Sequence, residues 1–95
     1  MMLKIEELVI EGYEHVVRGI DETTGLDAVI ALYSSKLGPA IGGCRFWSYE
    51  NEREHRNDAL RLGYGMALKN SLAGLDHGGG KAVINSKNVK DKKEV

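Results

Sequence analysis

Two lysines and two glycine runs are the residues of this chain whose types and spacing could do chemistry. Lys81 follows directly on Gly78-Gly79-Gly80 and leads into the apolar run Ala82-Val83-Ile84, while Lys69 stands in Met66-Ala67-Leu68-Lys69-Asn70, near the end of a helical pattern. Glycines carry no Cβ, so the backbone of such a run can take positive φ and a ligand can come close to the main chain. An ammonium group at an apolar helix end is costly to bury unless an anion meets it there. Paired lysines in a glycine-lined cleft therefore suit a carboxylate ligand and amine chemistry, with Lys69 holding the carboxylate and Lys81 taking or giving protons. On spacing alone, the same two side chains could instead lay their stems on apolar surface and keep their heads in water. The second run, Gly42-Gly43, enters Cys44-Arg45-Phe46-Trp47. A glycine pair entering a strand marks a bulge or a close backbone approach, although a tight turn with nothing bound has the same signature.

Other chemistries fit less well. A phosphate loop needs a preceding strand, four residues between its glycines and Ser or Thr after the lysine, and Ala82 occupies that last place. A dinucleotide fingerprint fails too, since no strand precedes the glycines and no helix follows. Cys44 has no positioned histidine to activate it, and His77 beside the glycines could act as an acid or base but reads equally as polar filler. The lone cysteine cannot form an internal disulfide, and no Cys/His spacing matches a metal site. With 13 Lys+Arg against 14 Asp+Glu and a net charge of −1, there is no basic stripe for nucleic acid. No apolar run is long enough for a membrane span, and the acidic start is no signal peptide. The expectation is a soluble cytoplasmic protein. A chain of 95 residues is one small domain. Such a domain buries about 60% of its unfolded surface and would gain from oligomerisation.

The elements that must position the lysines follow from periodicity and punctuation. Leu3, Ile5, Leu8 and Ile10, mixed with glutamates and closed by Gly12, suggest a short first helix. His15–Ile20 and Leu26–Tyr33 read as a hairpin around Asp21-Glu22-Thr23-Thr24-Gly25, and the second strand is apolar enough to be expected buried on both faces. After Pro39 and Gly42-Gly43 comes a third strand. Glu50-Asn51 then offers a cap to a helix from about 52 to about 72, ending at Gly74. Ala59, Leu62, Met66, Lys69 and Ala73 share one face of it, and Leu60, Tyr64, Ala67, Leu68 and Leu72 suggest a buried C-terminal half. A last strand over Ala82–Ile84 follows the glycines, here taken as a tight loop. Asn85–Val95 is a polar, lysine-rich end. The architecture expected is α/β: a small mixed sheet with a long helix packed on it, the helix serving as crossover between the last two strands.

Three blocks in register carry a resemblance. Leu37-Gly38-Pro39-Ala40-Ile41-Gly42-Gly43-Cys44-Arg45-Phe46-Trp47, Met66-Ala67-Leu68-Lys69-Asn70 and Gly74-Leu75-Asp76-His77-Gly78-Gly79-Gly80-Lys81 resemble, in that order, the N-terminal domain of the glutamate/leucine/phenylalanine/valine dehydrogenases, over roughly residues 13 to 86. The resemblance implies reversible NAD-dependent oxidative deamination of an L-amino acid to the 2-oxo acid and ammonia. It implies that Lys81 is the catalytic lysine that activates the attacking water at the imine carbon. By the same likeness Lys69 binds the substrate α-carboxylate, Gly42 and Gly43 line the substrate with their backbone, and Met66 and Ile41 belong to the substrate site. Glutamate-specific relatives generally carry a lysine directly before the glycine pair, where this chain has Ile41. The resemblance thus favours the leucine-type, branched-chain members, with phenylalanine second. The same family likeness implies a homo-oligomer, and NAD bound by a separate Rossmann-type domain.

Two departures accompany the likeness. Ser86-Lys87-Asn88 stands where the family has a small turn residue and proline, and the family's catalytic aspartate and cofactor domain would lie beyond Val95. The expectation is a truncated domain, inactive alone and without a cofactor of its own. The competing reading is a non-catalytic, stand-alone oligomerisation or amino-acid-binding module.

Overall fold

The computed structural model describes residues 3–35, 40, 41, 43–74 and 78–89. The first element is a strand rather than the short helix expected. Leu3 and Ile5 alternate with Lys4 and Glu6, and β1 (Leu3–Leu8) pairs antiparallel with β2 (His15–Asp21) along its whole length. Gly12, at φ 88°, turns the chain between them. An apolar set that fits both periods is settled by its partner, and here the partner is a strand. The hairpin to β3 (Leu26–Ser34) is as expected. Asp21 accepts from the Thr23 backbone N–H at 3.1 Å and from the Thr24 hydroxyl at 3.0 Å, and Gly25 supplies the positive φ of 76° that ends the turn.

Two short strands, β4 (Ala40–Ile41) and β5 (Cys44–Trp47), lead to the long helix α1 (Glu52–Leu72) and then to β6 (Gly78–Asn85). The strands form one mixed sheet in the order β1-β2-β3-β6-β4, with β5 also beside β6. β3 and β6 are antiparallel, whereas β4 and β5 run parallel to β6 and keep the same register against it, Ile41 opposite Gly79 and Cys44 opposite Ala82. Helix α1 is therefore the crossover that parallel pairing requires. Its ends are set locally. The Asn51 side chain accepts from the Glu54 N–H at 2.9 Å, Glu52 and Glu54 sit in the first turn, and Gly74 follows at φ 72°. No helix among the described residues is long and apolar enough to cross a membrane.

The helix meets the sheet on a different face from the one expected. Its buried residues are His55, Ala59, Gly63 and Asn70, while Tyr64, Leu68 and Leu72 are exposed and Lys69 is on the surface. The stripe that faces the sheet is the small one. A Cβ on Gly63 would stand 2.9 Å from the Ala31 carbonyl oxygen, so the helix lies almost backbone to backbone on β3. The buried apolar core is correspondingly slim: Val16, Val29, Ala31, Tyr49, Ala59 and Val83.

The expectation that β3 is buried on both faces is also corrected. Val29 and Ala31 lie under the helix, but Ile30 points to the other face and is 53% exposed. On that helix-free face Ile5, Gly19, Ala28, Ile84 and Phe46 fall in one row across five strands, beside a row of Val17, Ile30, Ala82 and Cys44. Among the described residues no layer covers this apolar sheet face, an arrangement that favours self-association. The isolated chain is expected to sediment as an oligomer at micromolar concentration. A stable, cooperative monomer under those conditions would contradict this.

Candidate functional site

Gly78-Gly79-Gly80 are the first three residues of β6 and not a loop, and the positive-φ glycines among the described residues are Gly12, Gly25 and Gly74. Their lack of a Cβ serves close packing within this chain. A Cβ on Gly78 would stand 1.8 Å from the Ser34 carbonyl oxygen, and one on Gly79 would stand 2.0 Å from the Ala67 nitrogen and 2.2 Å from its Cα. Gly80 is less tight, with the Ala31 carbonyl oxygen 3.2 Å from the same construction. The run is thus a smooth track on which α1 and β3 come down, with the helix backbone touching at Ala67.

This contact places the C-terminal turn of α1 over the entrance to β6. Asn70, nearly fully buried, donates from Nδ2 to the Gly78 carbonyl oxygen at 2.7 Å. Lys69 precedes it, with its side chain at the surface, so the helix end does not bury a lysine as expected. Met66 is half-buried one turn earlier. On the strand, Lys81 stands opposite Ala31 of β3, and its Nζ lies 3.1 Å from where a Cβ would stand on Gly43. Gly43 in turn accepts from the Ala82 backbone N–H at 3.1 Å. Gly43, Gly80, Lys81 and Ala82, with Ile30, Ala31 and Leu32 of β3, line a pocket of about 290 Å³. Lys81 and Gly43 are therefore brought together, and the Lys69 turn is joined to the same strand. Gly42 and His77 lie outside the described residues, as does the side chain of Ile41, whose backbone pairs with Gly79.

At its other end the helix is tied down by polar groups that sequence reasoning missed. Arg18 makes two parallel bonds to Asp27, Nε to Oδ1 at 3.0 Å and an Nη to Oδ2 at 2.9 Å, and its other Nη meets Glu52 at 2.9 Å. The bond to Asp27 raises the Arg18 pKa against the opposing cost of burial. His55, fully buried, donates from Nε2 to the Val83 carbonyl oxygen at 2.7 Å and stacks on Tyr49 with ring centroids 5.1 Å apart. Tyr49 donates its hydroxyl to Asp58, which also takes Arg61 at 2.5 Å and lies 3.4 Å from Arg45 Nε. Burial, reinforced by the bond to Asp58, pushes the Tyr49 hydroxyl up to about 12. Burial works to raise the Asp58 pKa, but Tyr49, Arg61 and Arg45 outweigh it and hold the carboxyl below its usual range. Sequence alone assigns Arg45 no role of its own. No local pattern links it to a helix residue thirteen positions on.

The arrangement can be compared with known proteins. A family model described as Glu/Leu/Phe/Val dehydrogenase, dimerisation domain, matches residues 7–95. Valine dehydrogenase from Streptomyces albus is 60% identical over 73 residues, which cover 77% of this chain and 20% of that protein. Leucine dehydrogenase from Bacillus subtilis is 54% identical over 82 residues, covering 86% of this chain and 22% of that protein. Among solved structures, L-tryptophan dehydrogenase from Nostoc punctiforme superposes with a TM-score of 0.76 at 41% identity, over 79% of this chain and 23% of that one. The chain spans about a fifth of the length of these dehydrogenases.

Proposed function

The chain belongs to the Glu/Leu/Phe/Val dehydrogenase family through its dimerisation domain, and from that premise we propose that it forms the substrate side of an NAD-dependent amino-acid dehydrogenase. The reaction is the reversible oxidative deamination of an apolar L-amino acid to the 2-oxo acid and ammonia. The observation that carries this reading is the placement of the Lys81 ammonium against Gly43 on the strand to which the Lys69 turn is joined.

In this reading Lys69, whose head reaches solvent, binds the substrate α-carboxylate as a point charge. The carboxylate is common to the amino acid and the oxo acid, so one residue anchors both directions of the reaction. Lys81 acts at the Cα side. In its neutral form it takes a proton from the water that attacks the imine carbon and hands it to the nitrogen, which then leaves as ammonia; the reverse reaction runs the same transfers backwards. Gly43 presents backbone without a side chain, which lets the substrate lie beside the ammonium, and Gly42 is assigned to the same lining from the motif alone. The glycine run is not open to a phosphate group, because the space around Gly78 and Gly79 is filled by Ser34 and Ala67. NAD is assigned to a part of the enzyme outside the fifth of its relatives' length that this chain spans, and its hydride-accepting chemistry with it. Self-association through the helix-free sheet face and a cytoplasmic location complete the proposal.

Substrate choice rests on Ile41 and Met66. An apolar residue at position 41 offers no counter-charge to a side-chain carboxylate, and leaving one desolvated and unpaired costs several kcal/mol, a discrimination of about 100-fold or more. Leucine and its branched-chain neighbours are favoured, as the names of the valine and leucine dehydrogenase relatives support, with phenylalanine second. The full-length enzyme carrying this domain is expected to show kcat/KM for leucine about 100-fold or more above that for glutamate. Equal values, or a preference for glutamate, would show the inference from Ile41 to be wrong.

A further inference from the structure

The two lysines sit on separate elements, and the geometry points to Asn70 as the residue that sets their separation. We infer that Asn70 is a positioning residue for both lysines, an inference that rests on the reading of Lys69 and Lys81 given above. Asn70 is adjacent to Lys69 in α1, and its Nδ2 donates at 2.7 Å to the carbonyl of Gly78, three residues before Lys81 on β6. It is 4% exposed, so the bond is shielded from competing water.

The bond acts where packing alone leaves freedom. Gly79 and Ala67 stop the helix from approaching the strand further, but a steric stop does not keep the helix from rolling or lifting away. A hydrogen bond at 2.7 Å restrains that direction. His55 makes the matching tie at the other end of α1, to the Val83 carbonyl, two residues beyond Lys81. Lys81 is thus bracketed along β6 by two carbonyls that α1 holds, and Asn70 is the tie that lies next to the other lysine. A carboxamide is suited to this place because it donates to the Gly78 carbonyl without adding a charge beside Lys69. A carboxylate there would be repelled by the Gly78 carbonyl oxygen and would attract Lys69 away from its ligand.

The test is steady-state kinetics of the full-length enzyme with Asn70→Ala, Asn70→Asp and Asn70→Gln, per folded protomer, beside Lys81→Ala. Asn70→Ala is expected to raise the KM for the amino acid about tenfold while the KM for NAD stays unchanged, because the carboxylate anchor moves and the cofactor site does not. Asn70→Asp is expected to be at least as impaired. Asn70→Gln, which keeps the donor on a longer stem, is expected to recover part of the loss. A role confined to stability would lower the folded fraction and leave the amino-acid KM of the remaining enzyme unchanged, and that outcome, or wild-type kinetics in Asn70→Ala, would overturn the inference. If Lys81→Ala keeps wild-type activity, the reading of the lysines fails instead, whatever Asn70 does.

Discussion

Gly79→Ala is expected to abolish cooperative folding of the isolated chain or lower its Tm by at least about 10 °C. The added Cβ would stand 2.0 Å from the Ala67 nitrogen and 2.2 Å from the Ala67 Cα, distances that real Cβ atoms do not show. Both obstacles are backbone of a helix held at its two ends by His55 and Asn70, so neither can swing aside as a side-chain tip would. Relief requires the helix to move off the sheet, which opens the slim core around Val83, Val29 and Ala59. Overpacking costs about 1–3 kcal/mol where neighbours can adjust, and more where they cannot. For a domain of this size each kcal/mol is worth about 4–8 °C. Gly43→Ala is the informative contrast. Among the described residues its new Cβ meets only the end of the Lys81 side chain, with Nζ at 3.1 Å, the far end of a flexible group. That variant is expected to melt within about 3 °C of the parent chain while losing activity in the full-length enzyme, because the ammonium must leave its place. Thermal unfolding followed by circular dichroism decides both cases. Equal stability of Gly79→Ala and the parent would show that the helix does not lie on the strand as described.

The contrast between these two glycines also shows what could be read from the sequence. Features with local causes were legible. Asn51 caps α1 where a cap was expected, Glu52 and Glu54 follow it, Gly74 stands past its end, and Gly25 ends the hairpin turn. In each case the signal and the structure it specifies lie within a few residues of one another. Features decided by distant partners were not legible. Leu3, Ile5 and Leu8 suit a helix or a strand, and only pairing with Val16–Asp21 makes them a strand. The face of α1 was misassigned because larger apolar residues were given the sheet, whereas Gly63 and Ala67 come closest to it and leave Tyr64, Leu68 and Leu72 outside. A glycine run reads locally as a loop, because glycine's freedom is a local property, yet Gly78 and Gly79 stand in β6. Their actual constraint comes from Ser34 and Ala67.

Within the candidate site, residue types and motif order singled out Lys81, Lys69 and the glycine pair, and the structure adds the contact of Lys81 with Gly43. The ties that hold those residues could not be anticipated. Asn70 to Gly78, His55 to Val83 and the Arg45–Asp58–Tyr49 group each join segments whose proximity is a product of the finished fold. An asparagine at a helix end and a histidine within a helix carry no pattern that announces a buried carbonyl partner.

The central claim is that this domain does its chemistry through Lys81. The most direct measurement is kcat and KM of the full-length enzyme with L-leucine for the wild type, Lys81→Ala and Lys69→Ala, with circular dichroism confirming the fold of each. Lys81 lines the pocket beside Gly43, and among the described residues it makes no ion pair that its removal would orphan, so truncation is expected to spare stability. A positioned acid or base contributes about 100- to 10,000-fold in rate. Lys81→Ala is therefore expected to lower kcat by at least 100-fold with KM changed by less than about threefold. Lys69→Ala is expected to act mainly on KM, since the charge it removes meets the substrate before and after the chemical step alike. A Lys81→Ala enzyme that is folded and retains kcat within tenfold of the wild type would contradict the account.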